Sequence, residues 1–255
     1  MVASVSLLRS TRVAVLSDVH GNAPALAAVL DELERVQPDV VVFGGDLTWG
    51  PLPAETLTLV RPLAETALFV RGNADRALVE YATGTAREEP SERARWILAR
   101  HDADALQLLR RFVEQTTVDV AGLGPVRFCH GSPRGDTELV TFATPEARVR
   151  AFMHGVDEPI VVTAHTHVQF DRRVAGVRSV NAGSVGMPYE GRPGAFWALL
   201  GPSVDLRRTE YDVDEAVRRY RASGDPGAEA MIEILLEPPT PDEVAEHAER
   251  LEFSE

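Results

Sequence analysis

Short apolar runs alternate with amphipathic stretches along the first third of the chain. Val13-Ala14-Val15-Leu16 is apolar without helical spacing and stops at Ser17-Asp18-Val19-His20-Gly21-Asn22, which predicts a buried strand running into a loop. Within Pro24–Gln37, Leu26, Val29, Leu30, Leu33 and Val36 recur at three- and four-residue spacing. This predicts a helix with Asn22 as its cap and Pro24 in its first turn. A Val-rich strand, Asp39–Phe43, then ends in Gly44-Gly45-Asp46 and completes a βαβ unit. Pro51–Glu65 reads as a second helix and Ala67–Val70 as a third strand, which ends in Arg71-Gly72-Asn73-Ala74-Asp75.

From Arg76 to Glu114 the spacing is helical and charged, broken at Gly84 and Pro90, and is expected to overhang the strand ends. The second half changes character. Thr117–Val120 and Pro125–Cys129 form an expected hairpin ending in His130-Gly131, followed by a helix within Pro145–His154. The strand Pro159–Thr163 ends in Ala164-His165-Thr166-His167. Gln169–Val174 with Val177–Val180 reads as a hairpin around Gly176, and Ala195–Leu200 with Ser203–Tyr211 as another across Gly201-Pro202. Helices at about Asp214–Ser223 and Pro226–Leu236 precede a last acidic helix. Parallel strands first and antiparallel hairpins later predict an α/β fold of two packed sheets with helices outside.

No repeat or linker interrupts the 255 residues, so residues 1–255 read as one domain. It would carry a helical insert at about 76–115 and an acidic helical C-terminal extension at about 212–255. The net charge of −13 sits mostly in that extension. From Glu210 to Glu255 there are fourteen Asp and Glu against four Arg, a net of −10. The body is nearly neutral, which argues against an extended nucleic-acid surface. The one cysteine, Cys129, excludes an intrachain disulfide and suits a reducing compartment, with a buried, inert thiol expected. Met1–Ser10 lacks the basic region of a signal peptide, and no run of eighteen apolar residues predicts a membrane span. A cytoplasmic protein is expected, and a homo-oligomer stays open.

Five loops that follow strand-like runs offer Asp18-x-His20, Asp46, Asn73-x-Asp75, His130 and His165-x-His167. Singly, each has an ordinary reading: Asp46 and Asn73 suit turns, and Asp75 suits a cap for the helix near Arg76. Jointly, they cluster at the same end of successive strands, where ligands sit in open α/β sheets. Asp18 and His20, two residues apart, would share one face of extended backbone. Seven ligands of imidazole, carboxylate and amide type, without thiolate, suit two divalent ions of Mn, Fe, Zn or Ni sharing a carboxylate. The other histidines, His101, His154 and His247, are expected at the surface.

The ordered set Asp18-x-His20-Gly21-Asn22, Gly45-Asp46, Gly72-Asn73-x-Asp75, His130-Gly131 and His165-Thr166-His167 resembles the five motifs of the calcineurin-like metallophosphoesterase superfamily. Asn181-Ala182-Gly183-Ser184 is similar to a stretch in its small bacterial and archaeal phosphodiesterases. The resemblance implies a four-layer α/β/β/α sandwich of two mixed sheets with a dinuclear centre. Asp18, His20 and His167 would hold one ion, Asn73, His130 and His165 the other, and Asp46 would bridge them. It implies hydrolysis of a small phosphoester or nucleotide, most simply a phosphodiester, through a metal-bridging hydroxide. Asn73 and Asp46 would be catalytic, Asp75 would act directly or by orienting a ligand, and Asn22, Asn181, Ser184 and Arg192 would hold substrate.

Two departures stand out. Ala74 replaces the histidine that serves the family's leaving group, as in related small phosphodiesterases, and Ala164 replaces a common glycine. A nucleotide pyrophosphatase or dinucleoside polyphosphate hydrolase remains an alternative, as does a non-catalytic metal- or nucleotide-binding regulator. A phosphoprotein phosphatase is a weaker alternative, because no cluster of Arg stands near the motifs. No G-x-G-x-x-G follows the first strand, which excludes a dinucleotide-binding dehydrogenase.

Overall fold

A computed structural model describes residues 8–252. Most of the signal-peptide reading of Met1–Ser10, and the end of the acidic tail at 253–255, lie outside the described residues. The chain opens with β1 (Leu8–Ser10) and β2 (Val13–Leu16), then α1 (Ala23–Val36), β3 (Val40–Phe43), α2 (Pro53–Val60) and a 3-10 turn at Arg61–Leu63. There follow β4 (Leu68–Phe69), α3 (Asn73–Thr83), α4 (Glu92–Leu98), α5 (Ala103–Arg110), β5 (Gln115–Val120), β6 (Gly124–Cys129) and α6 (Glu146–Phe152). The last elements are β7 (Ile160–Thr163), β8 (Phe170–Val174), β9 (Val177–Asn181), β10 (Ala195–Leu200), β11 (Val204–Thr209), α7 (Val213–Ser223), α8 (Ala228–Leu236) and α9 (Pro241–Glu252).

Two mixed sheets pack face to face, with strand orders β1-β5-β6-β7-β9-β8 and β11-β10-β2-β3-β4. The continuous apolar character of β2 follows from burial on both faces. Val13 and Val15 meet Val118, Val126 and Val162 of the other sheet, whereas Ala14 and Leu16 meet the helices outside. Leu26 and Val29 of α1 are fully buried there, each worth about 1.5–3 kcal/mol of apolar burial. Asn22 caps α1 by accepting from Ala25 N–H at 3.1 Å, as predicted. On the far side, Val149 and Met153 of α6 and its end pack on Cys129 and Val161. The result is an α/β/β/α arrangement.

Parallel register aligns the ends that matter. Leu16 pairs with Phe43 and Phe43 with Phe69 in one sheet, while Val126 pairs with Ile160 and Thr163 with Asn181 in the other. The loops after β2, β3, β4, β6 and β7 therefore gather along one rim.

Several details depart from expectation. β1 goes unpredicted because it is short and two of its three residues are exposed; it is held by parallel pairing with β5. α3 begins at Asn73, three residues before the expected helical stretch. His101 is buried, its Nδ1 donating to Ile97 O and its Nε2 2.9 Å from Thr48 Oγ1, whereas His154 and His247 are exposed as expected. No helix among the described residues is long and apolar enough to cross a membrane.

Candidate metal centre

The loop after β2 runs beside the loop after β3. Asp18 N–H, His20 N–H and Gly21 N–H donate to the carbonyls of Gly45, Asp46 and Leu47 at 3.0, 3.0 and 3.1 Å. Asp18 and His20 do converge, but not by sharing one face of a strand. Both are left-handed, with φ of 51° and 46°, as are Asp46 (53°), His165 (64°) and His167 (59°). Asp and His tolerate this region better than most residues. It turns side chains from adjacent loops towards a single point.

Two groups form there. Asp18, His20 and His167 bring their ligating atoms within 4.8 Å of one another, and so do Asp46, His130 and His165. The Oδ1 of Asn73 joins the second group, 3.1 Å from His130 Nε2. Asp46 Oδ2 lies between the groups, 3.8 Å from His20 Nε2 and 3.6 Å from His130 Nε2.

The imidazoles are oriented by backbone carbonyls, which can only accept. His20 Nδ1 donates to Trp49 O at 3.1 Å, His130 Nδ1 to Gly44 O at 2.7 Å and His167 Nδ1 to Met187 O at 2.8 Å. In the neutral rings each Nε2 is then a bare lone pair, the tautomer a metal ligand requires. Two of these lone pairs, on His20 and His167, stand only 3.2 Å apart. Asp18 Oδ1 is 3.2 Å from His167 Nε2, fully buried and without a hydrogen bond. Acceptor facing acceptor at these distances is repulsive unless a cation or proton lies between them, so the residues fit a metal.

The electrostatics agree. Burial opposes ionisation of Asp18 and Asp46, yet His167 beside the first and His130 beside the second hold both carboxyls below their usual range. Burial, then the neighbouring His167, lowers His20; burial and the nearby His130 pull His165 down to about 4. Burial also disfavours charge on His130, but Asp46 and Asp18 outweigh it and raise this ring to about 10. The cluster thus retains a proton at His130, which a bound dication would expel.

Asp75 does not enter the cluster. Its Oδ2 accepts from Asp46 N–H at 2.8 Å and Gly72 N–H at 3.0 Å, and its Oδ1 from Leu47 N–H at 3.0 Å. It caps α3 and fixes the backbone that carries Asp46, which follows the cap and ligand-orienting readings of the sequence and not the direct one. Burial and the Asp46 charge push its carboxyl up to about 7 against these three donors. The first turn of α3 also contributes directly, since Ala74 N–H donates to Asp46 Oδ1 at 2.8 Å.

Three residues expected to hold substrate are buried and engaged within the protein. Asn22 Nδ2 donates to Gly186 O and Tyr211 OH, and Asn181 Nδ2 to Ala164 O. Ser184 Oγ donates to Asp18 O. They lock the ligand-bearing loops and have no atom left for a substrate. Arg192 is exposed, its guanidinium 5.7 Å from the Phe196 ring centroid, and lines neither cavity beside the cluster.

Those cavities were not foreseen. One, of about 400 Å³, is lined by His20, Asp46 and Asn73 together with Trp49, Arg93, Met187 and Met231. The other, of about 170 Å³, reaches His130 and brings together Arg71, Arg76 and Arg134. The expectation that arginines stand away from the motifs is therefore corrected: Arg71 and Arg76 flank the Gly72–Asp75 motif, and folding brings Arg134, four residues after His130, to the same cavity. Each is paired, with Glu114, Asp136 and Glu138 respectively. Tyr189, also missed, stacks on His167 with ring centroids 4.6 Å apart. No local spacing signals Tyr189, whereas the three arginines were legible from their places beside the motifs.

Comparisons with known proteins point one way. The chain is 24% identical over 230 residues to an uncharacterized protein of Methanocaldococcus jannaschii, covering 81% of this chain and 90% of that one. It is 34% identical over 94 residues to the symmetrical bis(5'-nucleosyl)-tetraphosphatase of Klebsiella pneumoniae, a match covering 36% of this chain and 33% of that protein. Among solved structures, a metallophosphoesterase from Sphaerobacter thermophilus superposes with a TM-score of 0.72 at 27% identity, covering 89% and 99% of the two chains. A hypothetical protein from Pyrococcus horikoshii gives 0.76 at 21% identity, covering 91% and 100%. The sequence profile of the calcineurin-like phosphoesterase superfamily domain matches residues 11–200, and the chain belongs to that superfamily.

Proposed function

We propose that this protein is a dinuclear metal-dependent phosphodiesterase. The observation that carries the reading is the convergence of imidazole and carboxylate ligand atoms on two adjacent points, with Asp46 Oδ2 between them. Asp18, His20 and His167 would hold one divalent ion, Asn73, His130 and His165 the other. The thiolate-free donor set suits Mn, Fe, Zn or Ni. Bound there, such ions supply Lewis acidity and a water of lowered pKa for in-line displacement at phosphorus.

The chain's own residues supply the rest. Asp75 holds the backbone N–H of Asp46 and the Ala74 N–H holds its Oδ1, and the N-terminus of α3 would present its positive end to a bound phosphoryl group. Ala74 offers no proton, which favours a leaving group that departs readily as an anion. A cavity on each side of the cluster gives room for the two arms of a diester. The carboxylate partners of Arg71, Arg76 and Arg134 leave little free positive charge for a phosphoprotein surface. The lone buried thiol of Cys129 suits a cytoplasmic setting. A dinucleoside polyphosphate hydrolase is the second reading, favoured by the 34% identity to the tetraphosphatase over a 94-residue stretch, a third of that protein.

Replacing Asp46 by Asn tests the proposal. With Mn²⁺ supplied, turnover of bis(p-nitrophenyl) phosphate should fall by at least a thousandfold and bound metal by at least one equivalent, while the circular dichroism spectrum is kept. Undiminished turnover by Asp46→Asn would reject this site.

A further inference from the structure

Resting on the phosphoesterase reading and favouring its second form, hydrolysis of a nucleoside polyphosphate, we propose that Arg93 is a specificity residue that binds a second phosphoryl group, so that the preferred substrates are nucleotides with consecutive phosphates. Arg93 is the one cationic side chain among the described residues that line the larger cavity beside the ligand cluster. Its guanidinium is held on one edge by Asp225, with Nε at 3.0 and 3.2 Å from the two carboxylate oxygens and Nη2 at 2.8 Å. The Asp225 side chain is fully buried, whereas that of Arg93 is 25% exposed. A buried carboxylate on a half-buried arginine gains little as a salt bridge, but it fixes the plane of the fork. Nη1 has no hydrogen bond among the described residues, and it is the donor left for an anion.

The rest of the wall supplies the second half of the argument. Trp49, Met187 and Met231 give the cavity an apolar, polarisable surface suited to a planar base. About 400 Å³ lies within the ~300–1,000 Å³ range of small-molecule sites. A simple diester has one charge, which the metal pair would take; Arg93 would then face nothing. A phosphoanhydride has a further charge for it. Asp225 and Met231 also lie beyond residue 200, where the superfamily profile ends, so the C-terminal helices complete a cavity that the shared domain leaves open.

Binding to Mn²⁺-loaded protein by isothermal titration calorimetry tests this, with α,β-methylene-ADP compared with AMP. The wild type should prefer the diphosphate analogue at least tenfold. Arg93→Met should weaken the analogue ten- to a hundredfold and AMP less than threefold. Arg93→Lys, which keeps the charge and loses the fork, should fall between. Because Arg93→Met strands a buried carboxylate, the double variant Arg93→Met/Asp225→Asn serves as the folded control and should show the same lost preference. Equal weakening of both ligands, or no change in either, overturns the proposal. Hydrolysis of bis(p-nitrophenyl) phosphate by the wild type separates the two readings. Turnover with no Arg93-dependent preference sinks only this inference, and an Arg93-dependent preference without turnover of any phosphoester sinks only the hydrolytic one.

Discussion

Removing the Asp75 carboxylate distinguishes a residue that positions the metal centre from one that acts on substrate. The carboxylate is fully buried and accepts from three backbone amides, those of Asp46, Leu47 and Gly72. In Asp75→Asn, one oxygen can still serve Asp46 and Gly72, but the new amide group turns a donor towards Leu47 N–H. The buried Leu47 N–H loses its acceptor and two donors face each other, a cost of about 2–3 kcal/mol. In Asp75→Ala all three amides lose their acceptor at about 1–3 kcal/mol each, and because they share one site the sum falls short of additive, at about 4–6 kcal/mol. For a chain of this size each kcal/mol lowers Tm by about 2–4 °C, so losses of about 5–10 °C and 10–20 °C are expected. The loop that moves carries Asp46, so calorimetric titration with Mn²⁺ should show affinity falling in the same order as Tm. Turnover should follow metal occupancy and recover in part at high Mn²⁺. If Asp75→Ala melts and binds Mn²⁺ like the wild type yet loses turnover, Asp75 acts on the substrate and the positioning argument is wrong.

Three further outcomes follow from the packing. Burial pushes the Cys129 thiol up to about 12 from an ordinary value near 9, so iodoacetamide at pH 8.5 should leave the native protein unmodified and label it stoichiometrically in urea. The unfolded thiol ionises first, so its contribution to stability is complete below pH about 9 and is lost as pH rises towards 12; Cys129→Ala should flatten that decline in urea midpoints. At Gly45, with φ of +104°, an added Cβ would lie 2.5 Å from His130 Nδ1 and 2.7 Å from Gly72 N. Gly45→Ala should therefore displace His130 and halve the Mn²⁺ bound per chain by atomic absorption, with the protein still folded.

What the sequence disclosed, and what it withheld, divides along a physical line. The apolar run of β2 and the spaced apolar positions of α1 are legible because one-dimensional periodicity is set by which faces are buried, and both elements bury the faces their spacing implies. The donor residues are legible because each follows a strand whose register brings its end to the same rim. His101 and Arg93 are different: one is drawn inside by Thr48 and the other held by Asp225, 132 residues away, and no local rule encodes such partners. The route by which Asp18 meets His20 was also hidden, since alternation along a strand assumes extended backbone. Of the seven non-glycine residues with positive φ among the described residues, five are proposed metal ligands. Each such conformation costs roughly 1–3 kcal/mol and persists only where its surroundings over-determine it. Here the surroundings are the paired loop backbones, the carbonyls that hold the Nδ1 atoms and the carboxylate of Asp75. They hold the lone pairs of His20, His167 and Asp18 together before any ion arrives. A dication bound there would relieve that repulsion, so the strain in the loops is physically coupled to the affinity of the centre.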